Sequence, residues 1–267
     1  MPELIEVELY RRAAERALGR RIATVETPDA WYLKGGLDPA ALTRALLGRR
    51  LGAARRHGKL LLVDVVGGDP PGGGAPTLGL RFGMTGRLVV DGVPGVDGLV
   101  YGASGANPDW DRFALRFDDG GDLVVSDARR LGGVMLDPPL DGLGPEASSI
   151  EAGELVVALG ASRSPLKACL LDQARLAGLG NLLVDETLWR AGLAPDRPAG
   201  GLGEVEVAAL AAAIRSTVAE LARRGGSHTG DLQALRDRPG VCPRDGAPLR
   251  RGRVGGRATV WCSGHQA

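Results

Sequence analysis

Four side chains near the carboxyl end of the sequence have the types and spacing of a metal site. Two residues separate Cys242 from Asp245, two separate Cys262 from His265, and sixteen lie between the pairs. Zn²⁺ accepts thiolate, imidazole and carboxylate ligands in tetrahedral sites, so this is an admissible though unusual ligand set. The sequence therefore predicts a structural zinc site. The alternative is that both cysteines are ordinary buried residues and Asp245 is a turn residue.

The segment between the two pairs is predicted to form a basic β-hairpin. Gly255 and Gly256 favour a tight turn, and β-branched residues follow them. Residues 236–267 contain seven arginines and two aspartates, whereas the whole chain has a net charge of only +1. A metal-stabilised hairpin with this local charge is typical of a nucleic-acid-binding protein.

Composition restricts the class of protein. With 267 residues, 44% hydrophobic and 24% charged, the chain is expected to fold into one large or two ordinary soluble domains. It has no run of eighteen apolar residues and no signal-peptide pattern, so no association with a membrane is expected. Three cysteines favour a reducing cytoplasm over a disulfide framework, and a monomer is the default expectation.

The hydrophobic periodicity changes twice along the chain. An amphipathic helix is predicted behind the N-terminus, and short apolar or alternating runs up to about residue 135 then predict an antiparallel β-sandwich or barrel. Helical patterns follow a linker rich in Pro and Gly. The predicted fold is multi-domain α+β. Its parts are an N-terminal β-sandwich domain at 1–136, a linker at 137–150, a helical domain at 151–235 and the zinc hairpin at 236–267.

The opening residues 2–8, Pro-Glu-Leu-Ile-Glu-Val-Glu, resemble the PELPEVE start of the formamidopyrimidine-DNA glycosylase / endonuclease VIII family. Four further segments follow in the family's order: 57–62, 83–88, 170–181, and the zinc hairpin with Arg257. The resemblance extends from residue 2 to residue 266. This sequence departs from the family where Ile5 replaces a proline, and where Asp245 and His265 replace two zinc cysteines.

The resemblance implies a bifunctional DNA glycosylase and AP lyase of base excision repair, located in the cytoplasm and acting on damaged double-stranded DNA. Pro2 would be the nucleophile after removal of Met1, and Glu3 the general acid/base. An α-amino group has an ordinary pKa near 8, so much of it is free base at neutral pH. The proline would form a Schiff base with the sugar and cleave the strand by β,δ-elimination. Lys59 would contact the phosphate beside the lesion.

The remaining DNA contacts are also implied by the resemblance. Asn181 and Lys167 would bind backbone phosphate, Asn181 within a helix–two-turns–helix motif where helix-start N–H groups also favour phosphate. Arg257 in the hairpin would hold phosphates around the extruded nucleotide. An enzyme that flips a base must fill the gap, and three residues match the gap-filling positions. These are Met84, Arg129 and Leu131.

The choice of lesion stays open at this point. The segment between Gly226 and Cys242 is shorter than in the branch that acts on oxidised purines, which argues against a strict 8-oxoguanine specialist. Formamidopyrimidines, oxidised pyrimidines, abasic sites and a bulkier adduct remain alternatives. So do two other classes of function: a damaged-DNA-binding protein without turnover, and a general zinc-ribbon DNA-binding module.

Overall fold

The computed structural model describes residues 2–67, 74–96, 99, 107–236 and 239–267. It divides into two compact units: unit 1 comprises Met1–Pro2 and Glu6–Leu140, and unit 2 comprises Glu3–Ile5 and Asp141–Ala267. Within the described ranges, no helix has the length and apolar character needed to cross a bilayer. The finer division into sandwich, linker, helical domain and hairpin remains a prediction.

Unit 1 is built mainly from antiparallel strands. The elements are α1 (Leu4–Ala14), β1 (Ile22–Glu26), α2 (Pro39–Leu46), β2 (Arg50–His57), β3 (Leu60–Val66), β4 (Thr77–Arg81), β5 (Arg87–Val90), β6 (Val93–Pro94), β7 (Asp111–Phe117), β8 (Asp122–Ser126) and β9 (Gly133–Leu136). One sheet has the order β1-β7-β8-β5-β6 and the other β2-β3-β4-β9. Both sheets and α1 contribute side chains to one apolar cluster that includes Tyr10, Leu80 and Phe113, which confirms the predicted antiparallel sandwich.

Unit 2 contains the predicted helices and hairpin. Residues Leu4 and Ile5, at the start of α1, belong to its apolar cluster together with Leu183 and Ile214. The longest helix ends at Gly225, whose φ of +104° suits glycine. The elements are α3 (Ala152–Leu159), α4 (Leu166–Leu171), α5 (Asn181–Ala191), α6 (Glu204–Arg224), β10 (Leu249–Val254) and β11 (Arg257–Cys262). The helical region and the terminal hairpin are thus confirmed.

The hairpin turn follows from its two glycines. Gly255 and Gly256 have φ values of +58° and +75°, the left-handed pair that a tight two-residue β-turn requires. The turn sets the register in which Val254 pairs with Arg257 and Leu249 with Cys262. Consequently Arg257 lies at the tip of the hairpin, and Cys262 lies at its base near the chain end.

Candidate functional site

Glu3 is completely buried at the N-terminus of α5. Its carboxylate accepts hydrogen bonds from the backbone N–H groups of Gly180 at 2.7 Å, Leu182 at 2.8 Å and Leu183 at 3.2 Å. These are donors that a helix start leaves without intrahelical partners, and the helix dipole there favours a negative charge. The arrangement therefore holds the Glu3 side chain in one orientation.

Two glycines make this approach possible. A Cβ at Gly180 would lie 2.3 Å from the Glu3 Cδ, and a Cβ at Gly178 would lie 2.9 Å from Leu4 Cδ2. Gly178 also has a φ of +116° and accepts the backbone N–H of Leu4 at 3.1 Å. The glycines ahead of α5 were expected to open a phosphate site, but in this structure the helix-start N–H groups are occupied by the Glu3 carboxylate.

The structure locates Pro2 and Lys59 but does not test their predicted roles. Pro2 is buried and immediately precedes Glu3, while Met1, whose removal is expected, lies outside the described residues. Lys59 is partly buried and follows Gly58 in the two-residue turn between β2 and β3. The φ of +53° at Gly58 is the left-handed conformation such a turn needs at its first position. Their catalytic assignments remain predictions.

The three residues predicted to fill the gap in the DNA are carried by two adjoining loops of unit 1. The Arg129 Nη1 lies 3.5 Å from the Met84 sulfur, and Leu131 is 46% exposed. A Cβ at Gly83 would lie 2.5 Å from the Leu131 carbonyl carbon, so the two loops pack backbone against backbone. We call residues 127–132 the wedge loop. The structure thus brings together Met84, Arg129 and Leu131.

Asp127 holds the wedge loop in place, a role that the sequence did not reveal. Its buried carboxylate accepts the Thr85 hydroxyl at 2.5 Å and the backbone N–H groups of Arg129 at 3.1 Å and Gly132 at 2.9 Å. The Tyr32 hydroxyl donates to it at 3.3 Å. Burial, and secondarily the Asp127 charge, raise the pKa of Tyr32, so this phenol remains a donor at neutral pH.

We expect Asp127→Ala to lower the free energy of unfolding by roughly 3 kcal/mol, because several buried donors lose their acceptor at once. Denaturant titration measures the loss, and amide exchange should accelerate across residues 127–132. As a control, Asp64→Ala removes a carboxylate that is 29% exposed and pairs with Arg55, and should cost less than about 1 kcal/mol. Equal losses in the two variants would contradict the anchoring role of Asp127.

Lys167 differs from its predicted role as a phosphate contact. Its side chain is completely buried, and its Nζ donates to Asp185 Oδ1 at 2.6 Å, the Ala258 carbonyl at 2.9 Å and the Thr259 hydroxyl at 2.8 Å. Burial lowers the pKa of Lys167, and Asp185 opposes this shift. All three ammonium protons have protein acceptors, so Lys167 joins α4, α5 and β11 inside unit 2.

The Ala258 carbonyl is a shared acceptor at the hairpin tip. Besides Lys167, it receives the Asn181 Nδ2 at 3.0 Å and the Arg236 Nη2 at 3.3 Å. Asn181 is the first residue of α5, with Gly180 as the N-cap, and its buried Oδ1 has no hydrogen-bond partner among the described residues. Arg257, next to Ala258, is exposed, and no hydrogen bond links its guanidinium to the described part of the chain.

Asp185 is the charge on which this network depends. Besides Lys167, its other oxygen accepts Arg236 Nη1 at 2.7 Å. We expect Asp185→Asn to lower the free energy of unfolding by about 3–5 kcal/mol, because it leaves a buried cation without its counter-charge. Asp231→Asn, at a carboxylate 37% exposed, is the control and should cost under about 1 kcal/mol. If thermal unfolding of the Asp185 variant matches that of the parent protein, the network does not stabilise unit 2.

The predicted metal ligands converge at the base of the hairpin. The ligand atoms of Cys242, Asp245, Cys262 and His265 all lie within 4.8 Å of one another. Cys242 Sγ is 3.6 Å from His265 Nδ1, Cys262 Sγ is 3.2 Å from Asp245 Oδ2, and Asp245 Oδ2 is 3.0 Å from His265 Nδ1. Bonds of about 2.0–2.3 Å in a tetrahedron separate ligand atoms by roughly 3.3–3.8 Å. The cluster therefore has nearly the dimensions of a metal site.

The surrounding hydrogen bonds also fit a metal centre. His265 Nε2 lies 3.1 Å from the Trp189 carbonyl, which assigns the proton to Nε2 and leaves Nδ1 free to bind. The Cys242 sulfur accepts the Trp189 indole N–H at 3.3 Å, and the Cys262 sulfur accepts the Gly264 N–H at 3.3 Å. A hydrogen bond from the Ala247 N–H is the largest cause that lowers the pKa of the Asp245 carboxyl. These four side chains could hold a metal ion.

Comparison with known sequences agrees with the fold. The family model of the formamidopyrimidine-DNA glycosylase N-terminal domain matches residues 1–134, and that of the formamidopyrimidine-DNA glycosylase H2TH domain matches residues 142–232. The formamidopyrimidine-DNA glycosylase of Cereibacter sphaeroides is 38% identical over 87% of this chain and 82% of its own length. That of Paracoccus denitrificans is 38% identical over 93% of this chain and 90% of its own.

Solved structures give the same result. A complex of the Lactococcus lactis Fpg protein with THF-DNA and an inhibitor superposes with a TM-score of 0.82 at 26% identity, covering 100% of both chains. A complex of the Lactococcus lactis Fpg with DNA containing an abasic site has a TM-score of 0.79 at 25% identity over 99% of both chains. Both family models, the curated relatives and these structures cover most of the chain or all of it. The chain therefore belongs to the formamidopyrimidine-DNA glycosylase family and is an enzyme of the DNA-glycosylase type.

Proposed function

We propose that this enzyme is a bifunctional DNA glycosylase and AP lyase of base excision repair, with the Pro2 amine as nucleophile. The observation that carries the proposal is the Pro2–Glu3 dipeptide. Its carboxylate is fixed by three backbone N–H groups at the start of α5. A nucleophilic amine and a carboxylate held rigidly in the next residue are the two groups that covalent and acid/base catalysis need.

In the first stage the secondary amine of Pro2, freed by removal of Met1, attacks the sugar C1′. The N–C1′ bond forms, the glycosidic bond breaks, and the damaged base leaves with a proton. Opening of the sugar ring, with a proton delivered to the ring oxygen, gives an iminium ion between Pro2 and C1′. The Glu3 carboxylate stabilises this cation and transfers the protons.

In the second stage the iminium makes the C2′ proton acidic. Loss of that proton expels the 3′ phosphate, and a second elimination expels the 5′ phosphate. Water then hydrolyses the remaining imine and returns Pro2 to its free amine. No redox or nucleotide cofactor is needed, since the iminium ion formed by the amine is the electron sink.

The binding roles divide between the two units. Lys59, Asn181 and Arg257 contact backbone phosphate, and the exposure of the Arg257 side chain supports this role for Arg257. Met84 and the wedge-loop residues Arg129 and Leu131 occupy the space of the flipped nucleotide. Lys167 is left out of this set, because its buried contacts give it a positioning role for the hairpin.

The metal ion of the hairpin is proposed to be structural Zn²⁺. Two thiolates favour zinc over the oxygen-seeking cations magnesium and calcium. When bound, the ion would cross-link the ends of the hairpin; it takes no part in the chemistry at C1′. Cys242, Asp245, Cys262 and His265 would be its four ligands.

The substrate range is proposed to extend beyond 8-oxoguanine, to formamidopyrimidines, oxidised pyrimidines and abasic sites. The short segment after Gly226 is fastened to the helices of unit 2. Glu186 accepts the Leu232 N–H at 3.1 Å, and Asp231 pairs with Arg190 at 3.2 Å and Arg224 at 2.7 Å. A short, fastened segment covers less of a flipped base than a long mobile one.

Product analysis on duplex DNA with a single abasic site tests the proposal. β,δ-Elimination leaves phosphate on both sides of a one-nucleotide gap, and electrophoresis against marker strands identifies these ends. Protein that retains Met1 serves as the control and should leave the strand intact. A hydrolytic 3′-hydroxyl end would overturn the elimination chemistry. Tight binding without cleavage, with a free Pro2, would instead favour a damage-recognition protein.

A further inference from the structure

An exposed tryptophan stands beside the wedge loop in unit 1. Trp31 is 59% exposed, in a chain where most large apolar side chains are buried. The Lys34 ammonium lies 3.4 Å from the centroid of its ring, and the Arg130 guanidinium carbon lies 5.0 Å from it. An aromatic face with two cations is a surface suited to an anionic partner that also carries flat or apolar groups.

The Trp31 segment is rigidly joined to the wedge loop and to β9. Lys34 donates its backbone N–H to the Val134 carbonyl at 2.9 Å, and the Tyr32 hydroxyl reaches Asp127. A Cβ at Gly133 would lie 2.5 Å from the Lys34 Cγ, so the two segments touch closely. Trp31 therefore keeps a fixed position with respect to Leu131.

Arg130 provides a second connection. It lies between the wedge residues Arg129 and Leu131 and has a φ of +56°, an unusual conformation for a residue other than glycine. Two hydrogen bonds to Asp29, at 2.6 and 2.7 Å, fix its guanidinium. The hydrogen bond from Arg130 is the largest cause that lowers the pKa of Asp29, so the pair persists at mildly acidic pH.

The charge around Trp31 is predominantly positive. Lys34 and Arg130 lie at its ring, and Arg81 lies near Lys34, while the carboxylates here are Asp29, whose side chain is only 11% exposed, and the buried Asp127. The Lys34 ammonium uses one proton on the Trp31 carbonyl at 2.9 Å and keeps others for a ligand. Duplex DNA bound at the wedge loop would place its phosphodiester backbone near Trp31, Lys34 and Arg130.

We propose that Trp31 and Lys34 form an additional DNA contact beside the wedge, with Lys34 bound to a phosphate and the Trp31 ring packed on the adjoining nucleotide. The inference rests on the proposed function in one respect only: DNA must occupy the wedge loop. It predicts that the enzyme holds a longer stretch of duplex than the gap-filling residues alone would require.

The test is a fluorescence-anisotropy titration of a labelled duplex containing tetrahydrofuran, an uncleavable abasic analogue, between 50 and 300 mM KCl. Trp31→Ala should weaken binding about tenfold through loss of stacking, and Trp31→Phe should keep affinity within about twofold. Lys34→Gln should flatten the plot of log affinity against log salt by about 0.9, the share of one phosphate contact. Arg44→Gln, at an exposed residue of α2, should leave the slope unchanged.

Because the analogue is not cleaved, the titration does not depend on Pro2 chemistry. Failure of the parent protein to cleave abasic DNA would contradict the proposed function, but the affinities and salt slopes of the variants could still be compared. Parental affinity and salt slope in both Trp31→Ala and Lys34→Gln would overturn the proposed contact. The same result is expected if the tryptophan patch binds another protein instead of DNA. A lower affinity in Trp31→Ala that Trp31→Phe restores, with a flatter slope in Lys34→Gln, supports it.

Discussion

Glu3→Gln is expected to reduce base excision by at least about 10²-fold, the usual contribution of a positioned general acid/base. The amide has almost the shape of the carboxylate but cannot accept or transfer the proton. It also turns an NH₂ group towards the N–H donors of α5, which now bind a carboxylate at 2.7–3.2 Å. Single-turnover excision with enzyme in excess measures the chemical loss directly.

The same substitution should also lower the free energy of unfolding by about 1–3 kcal/mol, because buried N–H donors lose charged acceptors. Asp38→Asn is the matched control. Asp38 caps α2 by accepting the N–H groups of Ala40 and Ala41 at 2.9 Å each, and it is exposed. This variant should lose a little stability and keep its excision rate. If Glu3→Gln excises at the parental rate, Glu3 is a helix cap alone.

Loss of the metal is the second large effect. We expect the purified protein to contain about one zinc ion per chain, and we expect Cys262→Ala to lose this ion. The effect should be large, because zinc binding in small metal-stabilised folds supplies roughly 10–16 kcal/mol of folding free energy. The hairpin that carries Arg257 should then lose its order. Affinity for abasic-site DNA should fall by about tenfold to a hundredfold as phosphate contacts are lost.

Cys169→Ala provides the matched control for the metal experiment. Cys169 is the third cysteine, it is also buried, and it lies outside the ligand cluster. Metal analysis should find zinc retained in this variant and absent from Cys262→Ala. Full metal content and DNA affinity in Cys262→Ala would mean that hydrogen bonds, such as the contact between Asp245 and His265, hold the hairpin without an ion.

Much of the fold was predictable because its periodicity is local. An apolar run predicts a strand at 60–66 and a helical pattern predicts a helix at 203–224, and the structure has β3 (Leu60–Val66) and α6 (Glu204–Arg224) there. The strand β2 (Arg50–His57) was not predicted, since its exposed face is filled by arginines that weaken the hydrophobic alternation. The helix α2 was also missed, although Asp38 followed by Pro39 is a typical helix start.

The site was only partly predictable, because its charges find partners far away in sequence. Glu3 and Gly180 are 177 residues apart, so no local pattern could show that the carboxylate occupies the start of α5. The sequence did not show that Lys167, expected to bind phosphate, is buried against Asp185, because Asp185 is a helical residue that carries no motif of its own. The cluster of Cys242, Asp245, Cys262 and His265 could be predicted from sequence alone, because the spacing within each pair is short and regular.

Borohydride trapping on duplex DNA with an abasic site tests the central claim most directly. Protein with a free Pro2, verified by mass spectrometry, should form a covalent adduct, and peptide mapping should locate the DNA on the N-terminal peptide. Protein that retains Met1 should form none. An adduct on Lys59, or no adduct from protein with a free Pro2 that binds the DNA tightly, would contradict the account, because the nucleophile would then not be the proline amine.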